Sequence, residues 1–164
     1  MIKIEEASLN DIDRIIELWK GLINHHLSIT PIFQIRDDAE VNMRKYVKAS
    51  IENGDSLVLI AKEQNRIIAY MLCKIVSNPP VLEERKFGAI SDAFVLEEKR
   101  GKGVIKKMEN KAVEWFSQKG MKSAEVRVYC KNKLGKRVWD RLGYKDFMFI
   151  RALGQYSHTT SHHP

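Results

Sequence analysis

The chain is poor in the features that would make it anything but an ordinary folded domain. Only two cysteines occur in 164 residues, Cys73 and Cys130. They are far apart and form neither a disulfide framework nor a metal-knuckle spacing. No apolar run reaches the roughly 18–20 residues that a membrane-spanning helix needs. The opening Met1-Ile2-Lys3-Ile4-Glu5-Glu6 has acids where a secretory signal would be apolar. There is no internal repeat and no low-complexity linker. These absences lead to the expectation of a cytoplasmic protein with reduced thiols and no metal. Hydrophobic residues at 44% and charged residues at 30% are the balance of a globular chain. Its length suits one domain, expected over residues 1–153, with a polar tail at 154–164. His158, His162 and His163 fall in that tail and read as frayed rather than metal-binding.

Acidic charge is also in short supply, 21 Asp and Glu against 28 Lys and Arg, giving a formal net charge of +7. The imbalance is local. Residues 99–145 hold 15 basic and 4 acidic side chains, and the remainder holds 13 and 17. A basic half implies an anionic partner, either nucleic acid or a small molecule with several phosphates. A lysine-rich solvated surface is the plain alternative. Composition does not decide among these.

Hydrophobic periodicity supplies the elements. Residues 2–7 alternate as a strand, and Ser8 or Asn10 caps a helix with Ile12, Ile15, Ile16, Trp19, Leu22 and Ile23 on one face. The period is lost over 24–36, which reads as a loop. Asp37 or Asp38 begins a second helix that ends near Asn53-Gly54. Strands follow at 56–62 and 66–76 around a Gln64-Asn65 turn, then a loop at 79–87 and a strand at 89–96. A helix over 104–120, a strand over 123–129, a short helix over 133–142 and a last strand over 144–153 complete the order βααβββαβαβ. This is an α/β fold, with a mixed, mostly antiparallel central sheet flanked by helices.

The segment Glu98-Lys99-Arg100-Gly101-Lys102-Gly103-Val104 lies between a predicted strand and a predicted helix. Two glycines two apart let successive backbone N–H groups converge, and the helix start adds its own unpaired N–H groups. Such a turn cradles phosphate. No Gly-Lys-Ser/Thr follows, so it is not a Walker loop. Position 106 is lysine, so the third glycine of a dinucleotide fingerprint is missing.

This segment resembles the acetyl-CoA signature of the GNAT family of N-acetyltransferases, Gln/Arg-x-x-Gly-x-Gly/Ala. Asn132-Lys133-Leu134-Gly135-Lys136-Arg137-Val138-Trp139-Asp140-Arg141-Leu142-Gly143-Tyr144 resembles the family's second signature, an Asn, a short helix and then Leu-Gly-Phe/Tyr. The resemblance covers about nine-tenths of the chain. It implies acetyl-CoA as cosubstrate, with its pyrophosphate on the backbone of Arg100 to Ile105. Lys99, Arg100, Gly101, Lys102, Gly103, Val104 and Ile105 are the implied cofactor-binding residues there. The pantetheine arm would pair with the strand at Phe94-Val95, in a gap between strands 89–96 and 123–129. The resemblance implies that Asn132, which matches a residue that contacts the cofactor, and Trp139 on the same helix are further cofactor-binding residues. A phosphorylated cofactor accounts for the basic half, so nucleic acid is not expected.

The family often supplies an acid to the departing thiolate from a tyrosine of the second signature. Trp139 stands at that position, which leaves Tyr129 and Tyr144 as substitutes. Glu98 replaces the usual Gln or Arg, and Ile105 replaces a frequent Gly. On the amine side, Ile90-Ser91-Asp92-Ala93-Phe94-Val95 resembles the Glu-Asp-aromatic stretch of spermidine/spermine acetyltransferases. Asp92 matches the acid that faces the amine, and Ser91 stands where that group often has a Glu. A central-strand Asp bonded only to backbone or arginine is the structural alternative. His25 and His26 are further candidates for a base. The expectation is transfer from acetyl-CoA to a primary amine, first a polyamine-like molecule, with Asp92 and Tyr129 as catalytic candidates. A protein N-terminus or lysine is the alternative acceptor, and a non-catalytic CoA sensor the alternative function. A homodimer is the expected assembly only by analogy with the family.

Overall fold

The computed structural model describes residues 1–30 and 34–151. The tail at 154–164, with its three histidines, lies outside the described residues. Five strands run in the spatial order of the chain: β1 (Ile2–Glu6), β2 (Ser56–Glu63), β3 (Arg66–Ser77), β4 (Lys86–Val95) and β5 (Ala124–Val126). The first four pair antiparallel and β5 joins β4 in parallel. Helices α1 (Ile12–Ile29) and α2 (Ala39–Glu52) precede β2. Helix α3 (Val104–Gln118) connects β4 to β5, and α4 (Lys133–Arg141) follows.

The two central strands, β2 and β3, are buried on both faces, so their sequence is continuously apolar rather than alternating. Leu57, Leu59 and Ala61 of β2 face α3, where Met108, Ala112 and Phe116 pack against them. Val58 and Ile60 face α1, with its fully buried Ile15 and Ile16. Gln64 and Asn65, both at positive φ, make the two-residue turn that matches the twist of the hairpin. Ser8 donates its N–H and hydroxyl to the Asp11 carboxylate at 2.8 and 2.7 Å, which fixes the entry to α1.

Four expectations shift. α1 runs on to Ile29 through the residues read as loop, because its last turns lie against Tyr129, whose ring meets that of His26 at 4.7 Å. β4 starts at Lys86, since a hairpin closed by Asn78 N–H to Arg85 O at 2.9 Å brings it to Ser77. β5 stops at Val126. The strand expected at 144–153 does not form over 144–151. Phe147 to Ile150 are exposed there and pair with nothing among the described residues.

Beyond α4 the chain is anchored by Tyr144. Its ring packs edge-on against Trp139 at 5.3 Å, and its hydroxyl donates to the buried Glu109 carboxylate of α3 at 3.3 Å. Gly88 is where α3 comes nearest the sheet, and a Cβ there would sit 2.5 Å from the Phe116 ring. Gly88→Val is therefore expected to lower stability by about 1–3 kcal/mol through overpacking. Phe116→Leu should recover part of that loss, a coupling readable in a double-mutant cycle of thermal melts.

Candidate active site

The site is organised by one extra residue in β4. Leu72 pairs with Asp92 and Cys73 pairs with Ile90, so Ser91 has no partner on β3. Such a bulge inverts the alternation of everything after it. Ile90 packs on the α3 side of the sheet, and an unbroken strand would send Asp92 to the same side. Instead Ala93 and Val95 face α3, while Phe94 joins the cluster under α1. Asp92 shares that α1-facing side.

The backbone inverts with the side chains. Before the bulge, Gly88 donates its N–H to Ser123 O at 2.9 Å, towards β5. After it, Leu96 donates to Ile68 O at 3.0 Å, towards β3. By alternation Phe94 also donates towards β3, and the N–H groups of Ala93 and Val95 point away from it. The pairing of β4 with β5 covers only Gly88, Ala89 and Ile90 against Ala124, Glu125 and Val126. Beyond that the strands part. The result is a cleft with one wall formed by an open stretch of β4.

Asp92 is half-buried beside the fully buried Tyr70, whose hydroxyl donates to it at 3.4 Å. Burial pushes the Asp92 carboxyl up from the ordinary range, and the Tyr70 bond and the Lys74 charge offset this only in part. Burial and the adjacent carboxylate push the Tyr70 hydroxyl up as well, so it remains a donor. Lys74 Nζ lies 3.9 Å above the Tyr46 ring of α2. Tyr46 also borders an apolar groove of about 460 Å³ lined with Trp19, Ile35 and Met43.

α1 crosses this region. Its Gly21 touches Phe94, where a Cβ would meet the ring at 2.7 Å, and its His26 touches Tyr129. The helix thus spans from β4 to the segment after β5. Burial, and then the charge of His25, push the His26 imidazole below its usual range, so it is neutral at pH 7. Tyr129 and His26 form a pair that neither residue's local sequence announces. Of the two substitutes, Tyr144 is committed to Glu109, and Tyr129 lies against His26.

The loop after β4 has the cradle geometry. Gly101 and Gly103 sit at φ of 75° and 71°, and a Cβ on either would meet nothing within 4 Å. The glycines are required by conformation, and the space above them is open. Gly103 caps α3, whose first turn carries no acid to compete with an anion. Lys102, Lys106 and Lys107 are exposed around it. Val104 is buried and Ile105 half-buried, so they contribute backbone rather than charge. Lys99 is bound to Glu63 at 2.5 Å, and Arg100 turns back to donate from Nε to Val95 O at 3.2 Å. In this geometry neither side chain is directed to the cradle. Asn132 caps α4 by accepting from the Gly135 N–H at 2.9 Å, which leaves its Nδ2 as a donor. Trp139 is buried at 8% exposure in the core beneath α4. No cluster of three or more His, Cys, Asp and Glu able to hold a metal occurs among the described residues.

Because burial disfavours its charged form, Asp92 weakens the fold near neutral pH. Its folded pKa lies above the unfolded value, so its contribution is favourable below the unfolded value and is lost as pH rises through the folded one. Asp92→Asn should therefore match or exceed the wild-type melting temperature at pH 7, while at pH 3 its advantage disappears. His26 has the opposite trend. Its folded pKa is depressed, so stability is complete above the unfolded value and falls as pH drops below it. His26→Gln should flatten the decline of melting temperature between about pH 6.5 and 5.

Comparison with known proteins matches this geometry. An uncharacterized N-acetyltransferase of Archaeoglobus fulgidus is 25% identical over 142 residues, 84% of this chain and 89% of its own length. A variant of the BH1408 protein of Bacillus halodurans superposes with a TM-score of 0.84, at 23% identity, over 94% of this chain and 99% of its own. A predicted acetyltransferase of Clostridium acetobutylicum, solved with acetyl-CoA, superposes at 0.78 with 20% identity, over 94% and 96% of the two chains. The model of the acetyltransferase (GNAT) family matches residues 19–144, from α1 through both signature segments. The chain belongs to the GNAT acetyltransferase family.

Proposed function

We propose that this acetyl-CoA-dependent N-acetyltransferase accepts a small primary amine and holds its ammonium at Asp92. The observation that carries the reading is the Ser91 bulge, which turns a carboxylate and two strand N–H groups towards one cleft. The pyrophosphate of acetyl-CoA binds in the backbone turn of Arg100 to Ile105, where the Arg100 N–H is held by Glu97 O at 3.1 Å, with Lys102 and the exposed lysines of α3 adding charge. Lys99 steadies the start of the turn, with its N–H on Leu96 O at 2.9 Å and its ammonium on Glu63. The pantetheine arm lies against β4 as an added strand and bonds to Ala93 and Val95. Asn132 meets the arm through Nδ2. Trp139 supports the cleft from below by filling the core under α4.

Direct transfer in a ternary complex follows from this placement. Asp92 attracts the ammonium, and loss of its proton, to Asp92 or through water to His26, frees the nucleophilic lone pair. The amine nitrogen attacks the thioester carbon, and the Val95 N–H stabilises the oxyanion. Collapse releases CoA thiolate, and the second proton, shed by the attacking nitrogen as it becomes an amide, passes to that thiolate through Tyr129 or solvent. Among the described residues no helix is long and apolar enough to cross a membrane. The thiol of Cys73 is buried, which pushes it up to about 12, and Cys130 is a free exposed thiol. A cytoplasmic location fits both.

A polyamine is the first acceptor to test. Lys74 favours a second one, because a cation beside Asp92 repels a polycation and pairs with a carboxylate. An amino acid or peptide terminus carries both charges. Thiol release from acetyl-CoA against spermidine, spermine, amino acids and short peptides decides between them. Turnover on the preferred amine should fall by about 100-fold or more in Asp92→Asn. The acid limb of wild-type kcat/KM should lie above the ordinary Asp pKa and vanish in the variant. CoA binding with no turnover on any amine would instead indicate a sensor.

Gly103→Ala tests the cofactor half. The methyl enters open space but forces a left-handed backbone, so about 1 kcal/mol of stability is lost. CoA affinity should drop at least tenfold by calorimetry, with KM for acetyl-CoA rising in parallel. Unchanged affinity would rule out the cradle as the phosphate site.

A further inference from the structure

Helix α2 has two apolar faces. Val47 and Ser50 are buried. Ala39, Met43 and Tyr46, spaced i, i+4 and i+7, form a second stripe that is not closed over. With Trp19 of α1 and Ile35 of the connecting segment they line a groove of about 460 Å³, within the range of small-molecule sites. Trp19 and Met43 pack against the cluster under α1, so the floor is held by the core. Tyr46 and Ile35 are 36 and 43% exposed, so the rim is open. Arg36 at the rim donates to Asp38 at 2.8 Å, which keeps its charge out of the groove.

Two side chains connect this groove to Asp92. Tyr46 is one wall of it, and Lys74 Nζ lies 3.9 Å from the centre of the Tyr46 ring. Lys74 is two residues along β3 from Leu72, the partner of Asp92, a step of roughly 7 Å. By the alternation of β3 it shares the α1-facing side with Tyr70 and Leu72. Its charge reaches Asp92 and acts against the rise that burial imposes on that carboxyl. An acid, a cation and an apolar hollow thus follow one another on one side of the sheet.

We infer that the acceptor is a free α-amino acid with a large apolar or aromatic side chain. Its ammonium meets Asp92, its carboxylate pairs with Lys74, and its side chain fills the groove between Trp19 and Met43. The three groups that diverge from a single α-carbon are the three that this side of the sheet complements in charge and polarity. The inference rests on the reading of Asp92 as the amine site and adds the groove and Lys74 as its specificity determinants. Other amines leave one feature unmatched. A polyamine brings no apolar group and sets a second cation against Lys74. A peptide N-terminus carries an amide where the carboxylate should be. A small amino acid leaves the apolar walls in water. Each mismatch lowers affinity for the wrong acceptor, which is how such a site discriminates.

The test is kcat/KM by thiol release from acetyl-CoA. The acceptors are alanine, leucine, methionine, phenylalanine, phenethylamine, a peptide with N-terminal phenylalanine, and spermidine. Phenylalanine should exceed alanine by about 10-fold to 100-fold, the value of burying its ring. It should exceed phenethylamine, which lacks only the carboxylate, by about tenfold or more. Met43→Ser and, separately, Ile35→Ser should each reduce the ratio of phenylalanine to alanine by about fivefold or more. Ile35 is exposed, so its variant keeps a result in hand if loss of Met43 disturbs folding. Lys74→Met should bring the ratio of phenylalanine to phenethylamine towards one. Preference for spermidine or the peptide over every free amino acid overturns the inference and leaves Asp92 as an amine site. So does a rate indifferent to side-chain size, or ratios that none of the three variants moves. Turnover on no amine at all overturns the reading of Asp92 itself, and the inference with it.

Discussion

The functional half of the molecule depends on a single constraint, the inversion of β4 at Ser91. A strand repeats every two residues, so one inserted residue reverses the facing of every group beyond it. Asp92 consequently shares the α1 side with Phe94, while the N–H groups of Ala93 and Val95 turn away from β3. The bulge also coincides with the end of pairing to β5. The carboxylate, the strand donors and the cleft between them are thus products of one local irregularity. Nothing in the α1 side's packing alone would bring a carboxylate there, because burial of Asp92 works against the fold and is only partly offset by Tyr70 and Lys74.

The rest of the scaffold makes that irregularity tolerable. β2 and β3, buried on both faces, form a rigid platform that a bulge in the next strand does not disturb. Gly21 lies on α1 and Gly88 within β4, where its missing Cβ faces α3. Each permits an aromatic ring to sit close to backbone, Phe94 under α1 and Phe116 under α3. The glycine loop after β4 then begins within a few residues of the cleft, and the Lys99–Glu63 pair holds its first turn against β2. Part of the positive charge counted in the basic half is spent on internal contacts, by Lys99, Arg100, Lys111 and Lys136. The charge that faces solvent around the cradle comes from Lys102 and from Lys106 and Lys107 of α3.

Most of the scaffold was legible from periodicity, because apolar spacing and turn residues act locally. Gln64-Asn65 marked its hairpin, Gly101 and Gly103 marked the cradle, and the runs of β2 and β3 marked buried strands. The differences lie where tertiary contacts decide. Residues 24–29 carry no helical period of their own and are helical against Tyr129. Residues 127–129 alternate cleanly, yet the ladder with β4 ends at Ile90 and Val126. Ser91 and Asp92 stood out by resemblance, yet the bulge that gives them their facing has no sequence signature. The contact of His26 with Tyr129 joins residues a hundred positions apart, which no local pattern conveys. Trp139 stood out by resemblance, while its place in the buried core is a packing role that resemblance does not convey.

The parting of β4 from β5 has a thermodynamic consequence. A sheet that leaves one of its inner strands half unpaired is an incomplete sheet, and an arm that fills the cleft as a strand completes it. Only the folded chain offers that vacancy, so occupancy and folding are linked equilibria. At a hundredfold excess over the dissociation constant such linkage is worth about 2.7 kcal/mol. The resistance of this protein to unfolding, and to proteolysis through its opened form, would then vary with the supply of acyl donor around it. The strand geometry that enables transfer would also make the lifetime of the enzyme a measure of its cosubstrate.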